Sequence, residues 1–200
     1  MAVAAIGAVL VGSGILTARL ADTGQAVTYF IAEGSAESGY REGDRALAAW
    51  AIEAWARQAD PPLEIEPGTE ETATIRVYWV RAQEGLYGET RLREVDGRPA
   101  ADVFVRPDLS GLGADIEQAA RADPLFRETV VYLTCVHELG HAFGLPHTSA
   151  YADIMYSFEF GGDFVAYFQR FRDRLESRDD IGTTPPFSAA DTEAFRAGWR

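Results

Sequence analysis

The sequence predicts an α+β domain in which a twisted sheet is backed by two long helices. Three observations carry that reading. Short runs rich in β-branched and aromatic residues stand at 27–31, 74–80 and 101–105, as in strands of a partly buried sheet. Two longer stretches, opening at Asp44 and at Asp123-Pro124, repeat apolar residues at helical spacing. The 200 residues are 47% hydrophobic and 12% aromatic, enough for one domain with a sizeable core.

In chain order, Val27-Thr28-Tyr29-Phe30-Ile31 reads as a buried strand. Asp44 is placed to cap a helix running to about Ala59, with Leu47, Trp50, Ala51, Ala54 and Trp55 on one stripe that faces the core and fades at Gln58. Pro61-Pro62 ends it. Residues 63–66 form a short strand, and 74–80 alternates as a firmer one. Asp96-Gly97 marks a turn between two segments, of which 101–105 is the clearer strand. Asp123 as N-cap and Pro124 at the first helical position start the second long helix, whose Phe126, Val130 and Leu133 lead into His137. Residues 163–180 read as an inserted amphipathic helix: Phe164, Tyr167, Phe168, Phe171 and Leu175 line one face, with Arg170, Arg172, Arg174 and Arg178 mostly elsewhere. That apolar face is expected on the core. A last helix is headed by Ser188 and Asp191.

The chemistry is concentrated in residues 137–147, His-Glu-Leu-Gly-His-Ala-Phe-Gly-Leu-Pro-His, which hold every histidine of the chain. His137 and His141 are four apart, so on a helix they share one face and reach one metal ion. Gly144 permits the left-handed residue that ends many helices, and Pro146 forbids continuation. His147 then swings back as a third imidazole. Three protein ligands and an open fourth position are the pattern of a catalytic zinc site. Glu138, next to the first ligand, is placed to act as general base on a metal-activated water. Cys135 is the only cysteine, which excludes an intrachain disulfide, and reads as a small buried hydrophobe.

The motif continues to Asp153-Ile154-Met155-Tyr156. Together the two segments match H-E-x-x-H-x-x-G-x-x-H with a following Met-turn, and the chain resembles the metzincin zinc peptidases, most closely the matrixin-like ones. The resemblance implies a metzincin-like zincin fold over residues 27–200: a mostly parallel sheet with an antiparallel edge strand, two long helices behind it and a C-terminal helix. It implies one catalytic zinc on His137, His141 and His147, with Glu138 as general base and Met155 as the Met-turn residue beneath the metal. It makes Tyr156, Ser157 and Phe158 a wall of the pocket for the residue after the scissile bond. Ser157 stands where matrixins usually have proline, and Thr148 where they usually have serine. It also points to an edge strand, near Leu86, Tyr87 and Gly88, that pairs with extended substrate. Relatives also carry calcium, which carboxylates and carbonyls hold at positions a sequence does not locate.

The expectation is therefore a zinc-dependent endopeptidase acting on extended protein or peptide substrates. The rivals are a zinc-containing module that binds peptides without turnover, against which Glu138 argues, and a zinc amidase for small substrates. A net charge of −13 and a pI near 4.6 exclude nucleic acid as a natural partner. A monomer is expected. All 18 basic residues are arginine, and lysine and asparagine are absent, a coding bias that suits a GC-rich bacterial genome. Residues 2–16 are apolar and uncharged, so 1–26 reads as a signal or membrane-anchor segment. The chain is then secreted, periplasmic or tethered facing outward.

Overall fold

The computed structural model describes residues 26–81 and 87–198. Its five-stranded sheet has the order β2-β1-β3-β5-β4. The strands are β1 (Val27–Ile31), β2 (Ile65–Pro67), β3 (Ile75–Trp79), β4 (Gly88–Val95) and β5 (Arg98–Val105). Neighbours pair in parallel except β4, which runs antiparallel to β5 at the edge. The hairpin between them turns at Asp96 and Gly97, with φ of 52° and 74°. Two successive positive φ angles define the turn whose twist matches a two-residue hairpin, and Asp-Gly tolerates both.

One face of the sheet is apolar. Val27, Ile31, Ile75, Val77, Ala101, Val103 and Val105 are buried there. They form a single core with helices α1 (Asp44–Ala56) and α3 (Pro124–Ala142), whose Leu47, Ala51, Trp55, Val131, Cys135 and Leu139 are also buried. Trp55 ties the two helices directly, its indole N–H donating to Val136 O at 2.8 Å. Cys135 is a free, buried thiol, as read from the sequence. Among the described residues, no helix is long and apolar enough to cross a membrane.

Several elements differ from the sequence expectation. The first helix starts after Gly43, and Asp44 is its first residue rather than its cap. The Asp44 carboxylate accepts the Arg41 N–H at 2.8 Å and forms a buried ion pair with Arg127 of α3. Arg127 further donates to Gly39 O and Pro107 O, so the guanidinium joins two loops and two helices. The helix ends at Ala56, short of Ala59, because the chain turns back and Leu63 N–H bonds Ala56 O at 3.1 Å. β2 falls two residues later than expected at its start for the same reason. The inserted helix is α4 (Phe164–Arg172), capped by Asp163 and shorter than 163–180. Asp180 accepts the N–H groups of Glu176 and Ser177 at 2.9 and 2.7 Å and starts a separate turn at Arg178–Gly182. Tyr167, Phe168, Phe171 and Leu175 still reach the core. A helix α2 (Ala114–Ala122), unpredicted, precedes α3; it buries only Ile116, too thin an apolar signal to read. The last helix is α5 (Ala189–Gly198).

Removing one partner of a buried ion pair leaves the other charge without solvent. Asp44→Ala is therefore expected to lower unfolding free energy by about 3–5 kcal/mol. Urea unfolding at neutral pH measures it, and a loss below about 1 kcal/mol would show that solvent or another group replaces the carboxylate.

Candidate functional site

The last two turns of α3 carry His137, Glu138 and His141. Helix α3 closes at Phe143, and Gly144 takes φ 87°. Leu145 N–H then returns to Gly140 O at 2.9 Å, a left-handed helix stop that reverses the chain. His147 comes back over the helix as the motif required. The segment after it is tied to the Met-turn: Thr148 N–H bonds Met155 O at 2.8 Å, and Ser157 N–H bonds Thr148 O at 3.0 Å.

The tautomers follow from the partners. His137 Nδ1 lies 2.7 Å from Ile154 O, and His141 Nδ1 lies 2.8 Å from Leu145 O. A carbonyl can only accept, so each Nδ1 carries the proton and each Nε2 keeps its lone pair. Those lone pairs point at the third ring. His147 Nε2 is 3.2 Å from His137 Nε2 and 3.1 Å from His141 Nε2, and the three donor atoms lie within 4.8 Å of one another. Ligands held tetrahedrally at about 2.0–2.1 Å from zinc lie about 3.3–3.4 Å apart, so the donor set and its spacing fit that ion. Burial keeps the rings neutral, as a ligand must be. It lowers the pKa of His137 to about 3 and of His141 to about 4, each helped by a neighbouring imidazole, and it lowers that of His147.

Glu138 is fully buried against strand β4. The Thr90 hydroxyl is 2.8 Å from Glu138 O and 2.9 Å from its Oε2, sharing one hydrogen between them. Oε1 has no partner. Burial raises the carboxyl pKa to about 8, against the Thr90 hydrogen bond, which pulls it down. An ionisable group so placed is one of the usual marks of a reactive site.

The Met-turn is anchored from behind. Met155 is buried, and a Cβ on Gly140 would come within 2.3 Å of its sulfur, so Gly140 makes room for it under the helix. Asp191 of α5 accepts Ile154 N–H at 2.8 Å, and Ser188 Oγ donates to Asp153 Oδ1 at 2.8 Å. The Tyr167 hydroxyl from α4 reaches Asp153 O at 2.9 Å and Ile154 O at 3.3 Å. Sequence reasoning singled out Ser188 and Asp191 only as the head of a helix, and Tyr167 only as an apolar contact. Thr90 was missed, and its position two residues from Gly88 was the one available signal.

The remaining sequence candidates divide. Leu86 lies outside the described residues. Tyr87 turns inward: its ring lies under Arg106, its hydroxyl donates to Ser110 O, and its carbonyl accepts Arg106 N–H. Opposed pairs in an antiparallel ladder alternate between bonded and non-bonded. With Tyr87 bonded to β5, Gly88 and Thr90, opposite Val105 and Val103, turn their backbone groups away from β5, to a side where no strand pairs among the described residues; both residues are buried. Val105 correspondingly offers its carbonyl to Val80 on the β3 side. Tyr156, Ser157 and Phe158 are buried. Tyr156 donates to Gly161 O, Ser157 Oγ accepts Glu159 N–H, and Phe158 stacks on Phe164 at 3.9 Å between centroids.

Three neutral imidazoles aimed at one point beside a buried carboxylate, on a mostly parallel sheet with an antiparallel edge, define the class: a zinc metallopeptidase. The matrixin family model matches residues 21–163, and the chain belongs to that family. The match runs from before β1 to the start of α4, taking in the whole histidine motif and the Met-turn. No curated protein matches the chain.

The pKa shifts make a prediction for the metal-free protein. The unfolded chain protonates histidine near 6.5 while the folded state refuses the proton, so stability falls as pH drops below 6.5. Glu138 acts oppositely: the fold holds its proton to about pH 8, the unfolded chain releases it near 4.5, and stability falls as pH rises between them. The three histidines outweigh one carboxyl below 6.5, and above it the carboxyl acts alone. The urea midpoint should peak near pH 6.5, and Glu138→Gln should abolish the decline toward pH 8. A native midpoint that keeps rising to pH 8 would contradict a buried, protonated Glu138.

Proposed function

We propose that the protein is a zinc-dependent endopeptidase that hydrolyses peptide bonds in extended protein or peptide substrates. The observation that carries this is the Glu138 carboxylate: buried, held by one oxygen, with the other unpartnered, and adjacent in sequence to His137. His137, His141 and His147 would hold one zinc. Bound zinc supplies Lewis acidity, polarising the scissile carbonyl and easing deprotonation of water. Glu138 takes a proton from the attacking water and gives it to the leaving amine. Met155 supports the centre from beneath without donating to it.

The outward backbone groups of Gly88 and Thr90 on β4 would give an extended peptide partners, which is how a strand is added to a sheet. Such pairing recognises main chain rather than one small molecule, and so favours a peptide over a small amide. Tyr156, Ser157 and Phe158 would close the opposite side of the cleft. Export, by cleavage of residues 1–26 or through a tether at 2–16, fits an extracellular or periplasmic site of action. Calcium would be a second, structural ion.

Digestion of a mixed peptide library by the zinc-loaded chain, read by mass spectrometry, tests the reading. Internal cuts should appear, disappear with a zinc chelator, and fall about 10²–10⁴-fold in rate in Glu138→Gln, the range of a lost general base. Binding of peptides without any cut by a folded, zinc-loaded chain would replace the endopeptidase with a binding module. Hydrolysis of small amides alone would replace it with an amidase.

A further inference from the structure

Gly88 and Thr90 are alternate residues of β4, so both side-chain positions point to the same face of the strand. That face lies on Glu138. Thr90 supplies a hydroxyl to the carboxylate Oε2 and to the Glu138 carbonyl. Gly88 supplies space: a Cβ there would stand 2.3 Å from Oε1 and 2.7 Å from the carboxyl carbon. Gly88 has no positive φ, so its backbone does not require glycine and the carboxylate is what excludes a side chain. The same two residues turn their N–H and C=O groups away from β5, because Tyr87 is bonded to it. Thr90 contacts no histidine among its hydrogen bonds.

We infer that Gly88 and Thr90 are positioning residues for Glu138, set on the strand that the proposed function assigns to the peptide main chain. One strand thus performs two tasks at the same two residues. Its side-chain face is a socket that fixes one carboxylate oxygen and leaves the other free. Its backbone edge takes the substrate main chain. A shift of the peptide by one residue would reverse which of its groups meet Gly88 and Thr90, so the distance from scissile bond to Glu138 is set by the pairing. This deepens the endopeptidase reading and rests on it for the substrate part, but the socket itself stands on the fold.

The test uses Thr90→Val, Thr90→Ser and Gly88→Ala in the full chain, with zinc content and urea midpoint measured beside kinetics on a cleaved peptide. Thr90→Val keeps the shape and removes the donor. It should lower kcat at least ten-fold with KM within two-fold of native and full zinc content. Thr90→Ser, which restores the hydroxyl, should recover most of kcat, and Gly88→Ala should lose it. Unchanged kcat in Thr90→Val overturns the inference, and so does a Thr90→Ser variant as slow as Thr90→Val, which would mean packing alone. Should the native chain cut nothing, the endopeptidase reading fails separately, and a double-mutant cycle still decides the socket. Thr90→Val should then lower the urea midpoint less in a Glu138→Ala background than in the native one. Equal shifts in both backgrounds would overturn it.

Discussion

The hydrogen bond from His137 Nδ1–H to Ile154 O decides which nitrogen of the first imidazole faces the centre, and much of the molecule is arranged to keep that carbonyl in place. Ile154 N–H is held by Asp191 from the last helix, and its carbonyl also takes the Tyr167 hydroxyl from α4. The adjoining residue, Met155, fits under α3 only because Gly140 has no side chain. Three segments distant in sequence therefore converge on the backbone of one residue. Orientation of a ligand by the partner of its other nitrogen is the general means by which proteins set imidazole basicity and aim. Here that partner is backbone, which cannot titrate, so the tautomer does not change with pH.

Two buried acidic side chains illustrate opposite solutions to the cost of desolvation. Asp44 is matched by the Arg127 guanidinium and becomes a structural joint between α1 and α3. Glu138 has no cation among its described neighbours, only a hydroxyl, and its carboxyl is driven up to about 8 instead. The first arrangement spends a charge pair on holding helices together. The second leaves a carboxyl poised near neutrality, at some loss of stability in the absence of metal, as is common where activity and stability compete.

The histidine motif was legible because it is local: helical spacing, a glycine stop and a proline lie within eleven consecutive residues. The sheet's strands and both long helices were legible for the same reason, through their apolar period. What could not be read is what depends on pairing across the chain. Thr90 meets Glu138 across 48 residues, and Asp191 meets Ile154 across 37. Asp44 satisfied the rule for a helix cap and serves Arg127 instead, 83 residues away. The amphipathic pattern at 163–180 was real as burial, since Leu175 is in the core, yet the helix stops at Arg172 because Asp180 captures two backbone donors by itself. Burial pattern and backbone conformation are separate constraints, and periodicity reports only the first.

Among the described residues no strand pairs with the outer side of β4, which has a consequence for the protein in concentrated solution. An unpaired sheet edge cannot tell a peptide from another copy of itself by hydrogen bonds alone. Along β4, Glu89, Arg91 and Arg93 alternate with the residues that turn their backbone outward, and Arg91 lies over Phe104 while Arg93 binds Asp102. Two such edges brought together antiparallel would have to align these charges and twist in a common sense, and the overall charge of −13 adds a general repulsion between copies. The charged side chains of β4 thus bear on colloidal behaviour as well as on the site proposed there.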